Sequence, residues 1–200
     1  MSVNFNESQT RLNLMRAFAG ESQARNRYTI AASKAKSQKL HVVEAVFTFT
    51  ANQEKEHAGI FYNHLKSLAP SSLTIEGGYP VEAGLAAAEL LQLAQHNEYE
   101  EYNNVYKNFA KVADEEGYPE AAFSFKNIAE IEKIHGDRFG ELANLLKEGK
   151  LFVADTETKW MCLNCGYVFS GKEVPPQCPV CSHDRGYFIR LALAPYTALT

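Results

Sequence analysis

The stretch Glu54–Phe61, EKEHAGIF, lies in a segment whose apolar residues recur every three or four positions, the spacing of one helix face. Glu54 and His57 occupy positions on that face, where apolar side chains would be expected. An unpaired ion buried in a protein core costs several kcal/mol, so these two side chains need a partner. The stretch therefore predicts a buried helix that carries chemistry.

Four long segments have this helical periodicity, near residues 8–36, 41–68, 81–116 and 119–147. Gly117 and Pro119 separate the third from the fourth, and a polar stretch, PSSLTIEGGYP, separates the second from the third. Short connections within each pair predict antiparallel hairpins, and the longer middle connection is expected to cross the bundle. The sequence thus predicts a mainly α fold, with a four-helix bundle over residues 1–149.

The Glu-x-x-His spacing recurs in the fourth segment, at Glu132 and His135, 78 residues after the first motif. The first and third segments carry Glu21 and Glu98 on their inward faces, 77 residues apart. We interpret this pattern as a duplicated helical hairpin. Each half contributes one Glu from its first helix and Glu-x-x-His from its second.

Glu101, one turn after Glu98, adds a fifth inward carboxylate that the duplication does not require, because its counterpart is Ala24. Arg25 is the one basic residue expected on the inward faces, so cationic side chains are too few to neutralise the group. Two divalent cations nearly balance five carboxylates, and Glu with Glu-x-x-His from paired helices is the di-iron or di-manganese ligand pattern. A lone motif of this kind is usually a surface ion pair, but two at matching offsets on apolar stripes favour a metal site.

Two tyrosines, Tyr28 and Tyr106, lie about two turns beyond Glu21 and Glu98. Their expected role is core packing, and a catalytic role is the alternative.

All four cysteines fall late in the chain, as two CxxC pairs separated by 12 residues: Cys162, Cys165, Cys178 and Cys181. This spacing predicts a tetrahedral thiolate metal site. Helical periodicity stops near residue 150, so residues 150–200 are expected to form a linker, near 148–157, and a small β-rich metal module from Trp160 to about Leu193. Taken alone the site suits structural zinc, whereas next to a redox bundle it suits iron. The tail from Ala194 is expected to be ordered only if it docks on something.

Composition argues against other classes. The net charge is −4, with 24 acidic and 20 basic residues, and no basic run indicates nucleic-acid binding. No apolar run approaches the roughly 18 residues that span a membrane, and the first residues do not form a signal peptide. We expect a cytoplasmic protein that binds neither nucleic acid nor membrane.

The chain resembles the rubrerythrins, which join a ferritin-like di-iron bundle to a rubredoxin-like module. The resemblance rests on FAGESQARNRY around Glu21, NQEKEH ending at His57, NEYEEY with Glu98 and Glu101, EIEKIH ending at His135, and the CxxC pairs. It implies two iron ions held by Glu21, Glu54, His57, Glu98, Glu101, Glu132 and His135, and one iron ion held by the cysteines. It also implies that Glu101 and His57 exchange as ligands of one iron, and that Glu54 or Glu132, or both, bridge the pair.

By the same resemblance, the expected activity is reduction of hydrogen peroxide to water, in oxidative-stress defence. Electrons would come from reduced pyridine nucleotide through a separate reductase or rubredoxin, because no Gly-rich dinucleotide motif is present here. A head-to-tail homodimer would bring one subunit's module to its partner's di-iron site. The alternatives are a ferroxidase or iron-handling protein that uses dioxygen, and a non-enzymatic zinc-ribbon scaffold.

Overall fold

The computed structural model describes residues 3–195. Two helical hairpins form the bundle, and the mainly α fold class is confirmed. Its helices are α1 (Gln9–Ser37), α2 (His41–His64), α3 (Ala87–Glu100), α4 (Tyr106–Glu116) and α5 (Pro119–Lys147), with a π-helical segment, Glu101–Val105, joining α3 to α4 in one rod. Among residues 3–195 no helix combines the length and the apolar composition needed to cross a bilayer.

Two predicted helix ends are wrong. The second helix ends at His64, because Leu68 belongs to a separate 3-10 turn, Lys66–Leu68. The third begins at Ala87 rather than near Val81, which is 92% exposed and offers no face to a core. Residues 69–86 instead form an irregular connection between the hairpins.

The predicted apolar stripe of the third rod is wrong after Glu98. Helical spacing continued past Glu98 predicts Val105, Phe109 and Val112 on the inward face, but the fully buried positions are Tyr106, Ala110 and Ala113. The π-helical segment adds one residue to the turn, so every later side chain moves one position along the sequence. The same extra residue accounts for the offset of 77 between Glu21 and Glu98, against 78 between the two Glu-x-x-His motifs.

Arg25 was also placed wrongly, because its side chain is exposed and Ala24 takes the inward position. The buried face of α1 runs through Glu21, Ala24 and Tyr28, and Arg25 lies about 100° away from Ala24 around the helix. The inward faces of the bundle therefore hold even less cationic charge than the sequence suggested.

The C-terminal module is a three-stranded antiparallel sheet of order β2-β1-β3, from β1 (Val153–Cys162), β2 (Val168–Glu173) and β3 (Phe188–Arg190). Its first strand begins before the predicted start at Trp160, so the linker is shorter than expected. The predicted boundary at residues 149 and 150 falls in the connection between α5 and β1. Ala194 is buried in an apolar cluster that also contains Ile189 of the module and Phe47 of the bundle. Residues 196–200 of the tail lie outside the described residues.

The module is seated on the α1–α2 turn. The His41 ring stacks on Tyr187, with centroids 4.0 Å apart. A Cβ added to Gly186 would lie 2.0 Å from the carbonyl oxygen of Lys39, so only glycine permits this approach. Lys39 itself has a φ of 58°, which fixes the turn in the left-handed region.

Gly186→Ala is expected to lower the free energy of unfolding by about 2 kcal/mol, because the methyl group overlaps the Lys39 carbonyl. Thermal unfolding should show a Tm roughly 4–8 °C lower. Gly59→Ala is the control, since a Cβ there meets nothing within 4 Å on an exposed helix face. Equal Tm values for Gly186→Ala and the wild type would contradict the close contact between Gly186 and Lys39.

Candidate metal centres

Six side chains meet at one level of the bundle, all of them buried. They form two sets of four that share Glu54 and Glu132: one set adds Glu21 and His57, the other Glu98 and His135. Within each set the ligand atoms lie within 4.8 Å of one another. Two shared carboxylates between two such sets is the arrangement of a carboxylate-bridged pair of metal ions.

The two histidines take equivalent places. Nδ1 of His57 lies 3.1 Å from Glu54 and 3.0 Å from Glu132. Nδ1 of His135 lies 3.0 Å from Glu54 and 2.8 Å from Glu132. Both rings therefore direct the same nitrogen toward the shared carboxylates, as metal-binding imidazoles do.

The site has more acceptor atoms than protein donors. Among residues 3–195, hydrogen-bond partners are missing for one oxygen each of Glu21, Glu54 and Glu98, both oxygens of Glu132, and Nδ1 of His135. The contacts of His135 Nδ1 with Glu54 and Glu132 are short but are not hydrogen bonds. Buried polar atoms are almost always satisfied, so this group fits bound cations.

The pKa values indicate the same deficit of positive charge. Burial raises the pKa of Glu21 well above its ordinary value and that of Glu98 to about 8. Burial alone would lower the pKa of each histidine, but contacts with Glu132 and Glu54 raise it to about 9 for His57 and about 12 for His135. Burial alone would raise the pKa of Glu54, but its contacts with His135 and His57 lower it to about 2, so the histidines and the carboxylates of this group are electrostatically linked.

Tyr28 and Tyr106 both contact the site, and each one hydrogen-bonds a glutamate of the other hairpin. The Tyr28 hydroxyl donates to Glu98, and the Tyr106 hydroxyl donates to Glu21. Each tyrosine therefore orients the outer glutamate of the other hairpin, a contact that adds to the core packing expected of it.

Glu101 lies outside both sets of four. It begins the π-helical segment, is half-buried, and lines a cavity of about 310 Å³ next to the site. Burial, followed by the nearby Glu98 charge, raises the pKa of Glu101 well above its ordinary value. Of the predicted carboxylates, it is the one placed between the cluster and this cavity.

Two residues near the site were not found by sequence reasoning. Gln53 Oε1 lies 3.1 Å from Nε2 of His135, and Arg138 approaches the same oxygen at 3.4 Å. Gln53 thereby fixes the His135 tautomer that leaves Nδ1 free for a metal. Among residues 3–195, no side chain hydrogen-bonds Nε2 of His57. Helical spacing marks the inward face of α2 and gives no signal for a residue at its edge.

The four cysteines converge in the module. The Sγ atoms of Cys162 and Cys181 are 3.8 Å apart, and those of Cys165 and Cys178 are 3.7 Å apart. A tetrahedral site with metal–sulfur distances of about 2.3 Å has sulfur–sulfur edges of about 3.8 Å. The thiols are too far apart for disulfides and suit a tetrahedral metal.

The turns after the cysteine pairs support thiolates unequally. Gly166 and Ser182 both adopt positive φ, 77° and 61°, although only the first is glycine. The backbone N–H of His183 lowers the pKa of Cys181 to about 6, whereas burial raises the pKa of Cys162 to about 12. A bound cation is what would keep Cys162 deprotonated.

The fold and these clusters define a class: ferritin-like bundles with a carboxylate–histidine two-metal site. The rubrerythrin family model matches residues 13–143, and the model for the rubrerythrin rubredoxin-like domain matches residues 160–189. The chain therefore belongs to the rubrerythrin family. It carries that family's di-iron carboxylate–histidine site and four-cysteine rubredoxin-like iron site.

Individual relatives support this family assignment. The chain is 43% identical to rubrerythrin of Clostridium perfringens, over 90% of this chain and 93% of the relative. It is 41% identical to rubrerythrin of Nitratidesulfovibrio vulgaris, over 93% and 96%. Among solved structures it is similar to fully reduced, all-ferrous nigerythrin, with a TM-score of 0.63 and 26% identity over 95% of this chain and 88% of that one.

Gln53→Leu is expected to weaken ferrous iron binding in the bundle by about 10–100-fold, because His135 loses the acceptor that fixes its tautomer. Competition with a ferrous chelator measures the affinity. Asn52→Leu, at the neighbouring exposed position, is the control and should bind iron as the wild type does. Equal affinity in both variants would show that Gln53 does not position His135.

Proposed function

We propose that this protein is a non-haem di-iron peroxidase that reduces hydrogen peroxide to water, with electrons relayed through the four-cysteine site. The observation that carries the proposal is the pair of four-residue sets sharing Glu54 and Glu132, with Glu101 as an additional carboxylate beside them. Family membership supports the same activity. The proposed role is oxidative-stress defence.

The proposed ligands follow the two sets. Glu21 and His57 would hold one iron, Glu98 and His135 the other, and Glu54 and Glu132 would bridge them. We propose that Glu101 and His57 alternate on the first iron. A ferric ion favours carboxylate and a ferrous ion accepts imidazole. Within the described part of the chain, His57 lacks the outer hydrogen bond that restrains His135. Cys162, Cys165, Cys178 and Cys181 would hold the third iron.

Reduction of hydrogen peroxide breaks one O–O bond and consumes two electrons and two protons, yielding two water molecules. Bound iron supplies the electrons and the Lewis acidity. The chain's own residues do the rest: Tyr28 and Tyr106 hold the outer glutamates in place, and Gln53 holds His135. Glu101 lies between the cluster and the cavity, where it can pass protons from solvent.

Glu101→Ala is expected to lower peroxide turnover by at least about tenfold, because the alternate ligand and the proton path are both lost. Steady-state peroxide consumption with a chemical or enzymatic electron donor measures it. Glu115→Ala, which removes an exposed carboxylate of α4 outside the cavity lining, should leave turnover unchanged.

Unchanged turnover in Glu101→Ala would refute ligand exchange. Rapid oxidation of the reduced wild type by dioxygen, with little response to peroxide, would favour the ferroxidase alternative.

Electron delivery between the two metal sites favours a dimer. The module sits at the His41 end of α2, and His57 lies 16 residues further along, about 24 Å at 1.5 Å per residue. Electron transfer slows exponentially with distance, so a route within one chain is poor. An apolar groove of about 760 Å³ between α2, α5 and the module, with exposed Phe49, Ile134 and Leu193, supports association with a second copy.

We therefore propose a head-to-tail homodimer in which each module serves its partner's bundle. Reduced pyridine nucleotide would be the ultimate donor, through a separate reductase or a rubredoxin.

Mixed dimers can test this arrangement. Glu54→Ala subunits lack the bundle site and Cys178→Ser subunits lack the module site, so each homodimer should be inactive. A doubly tagged mixed dimer is expected to recover about half of the wild-type turnover, because one intact module faces one intact bundle across the interface. An inactive mixed dimer would place electron transfer within one chain.

A further inference from the structure

A cavity of about 310 Å³ lies beside the di-iron site on one side of the bundle. Its inner wall includes Tyr106 and Glu101, and the first of these hydrogen-bonds the ligand Glu21. Helix α1 contributes another wall through Arg16, Gly20 and Gln23. The cavity thus reaches two side chains, Glu101 and Tyr106, that adjoin the proposed reaction centre.

The remaining wall is not helical. It comes from residues 77–80 of the irregular connection between the hairpins, within a segment of residues 76–84 that we call the strap. The Tyr79 ring lies over Gly20, 3.9 Å from where a Cβ would be, and its hydroxyl donates to the Arg16 carbonyl at 3.3 Å. Without helical hydrogen bonds, the strap keeps its position through such contacts with α1 and α3.

Glu82 is the strap's inward anchor. Every other residue from 76 to 84 is exposed, whereas the Glu82 side chain is only 10% exposed. Arg27 donates to one of its carboxylate oxygens at 2.9 Å, and Asn97 donates to the other at 2.7 Å. We call Glu82, Arg27 and Asn97 the clamp. It joins the strap to α1 through Arg27 and to α3 through Asn97.

Gln23 holds the Arg27 side chain of the clamp in a fixed orientation. Gln23 Oε1 accepts a hydrogen bond of 2.6 Å from Nε of Arg27, which orients the guanidinium toward Glu82. Hydrogen bonds between charged groups at a half-buried site are stronger than those on an open surface. None of the proposed iron ligands takes part in these hydrogen bonds, and the clamp approaches the metal centre through the Arg27 guanidinium, 5.4 Å from the centre of the Tyr28 ring.

We propose that the clamp of Glu82, Arg27 and Asn97 seats the strap over the access cavity and thereby makes Glu82 a specificity-determining residue. The seated strap admits hydrogen peroxide and excludes bulky organic hydroperoxides. This inference rests on the proposed function, because it concerns the reactant of the same site. Glu82 acts through the strap and touches no reacting atom.

Glu82→Ala in the iron-loaded protein tests whether the strap selects between peroxides, and Glu76→Ala is the matched control. Glu76 lies on the same strap, but its side chain is exposed and only its carbonyl oxygen is bonded, by Arg16. Oxidation of the reduced protein in a single turnover is followed with hydrogen peroxide and with cumene hydroperoxide. The ratio of the cumene hydroperoxide rate to the hydrogen peroxide rate is expected to rise about tenfold in Glu82→Ala and to stay unchanged in the control.

A second measurement does not depend on the reaction. Amide hydrogen exchange of peptides covering residues 71–86, in metal-free protein, should accelerate about tenfold in Glu82→Ala, because the strap loses its charged anchor. Glu82→Gln keeps the acceptor for Arg27 and is expected to show a smaller effect. It also guards against a general loss of structure in the alanine variant.

The outcomes separate the inference from the function beneath it. Faster amide hydrogen exchange in the strap with an unchanged ratio of the two rates would overturn the proposed selection between peroxides. Unchanged hydrogen exchange would overturn the proposed anchoring of the strap by the clamp. A wild-type protein that hydrogen peroxide does not oxidise would instead overturn the proposed peroxidase function.

Discussion

Burial of carboxylates without enough cationic side chains is the constraint on which this structure depends. Five glutamates lie at or beside one level of an apolar bundle, and the expected basic residue, Arg25, faces solvent. Such a group is compatible with a folded core only when protons or metal ions neutralise it. The positions of the tyrosines and the histidines follow from the same need, because each one binds or orients a carboxylate. The centre is therefore stabilised by its ions and destabilising without them.

The bundle is nearly symmetric, and its departures from symmetry fall where we place the chemistry. Each hairpin supplies Glu, Glu-x-x-His and a tyrosine that reaches the other hairpin. The π-helical segment adds one residue to the third rod only, and it begins with Glu101, which has no acidic counterpart in α1. Gln53 restrains His135, while no residue that the structure describes restrains His57 in the same way. This asymmetry supports the proposed ligand exchange, in which one metal position keeps its ligands and the other changes them.

The strap adds a level of control outside the metal centre. The irregular connection between the hairpins is long because it must cross the bundle, and its crossing covers the side on which Glu101 faces a cavity. The module is fixed at the other end, where Gly186 and Tyr187 meet the α1–α2 turn. The strap and the contact between the module and the α1–α2 turn therefore occupy different parts of the molecule, and neither includes a proposed ligand of the bundle site.

The sequence determined the mainly α bundle, the pairing of its helices and the residue types of both metal sites. Apolar periodicity, breakers such as Gly117 and the CxxC spacing are local features that survive in any context. Only the tertiary structure decided that six of the seven proposed bundle ligands converge while Glu101 stands aside, and that Gln53 and Glu82 matter. A one-residue π insertion resets a helix face without a local signal, as the burial of Tyr106 rather than Val105 shows. Contacts such as Glu82 with Arg27 join residues 55 apart in sequence, and they exist only once the packed helices bring those residues together.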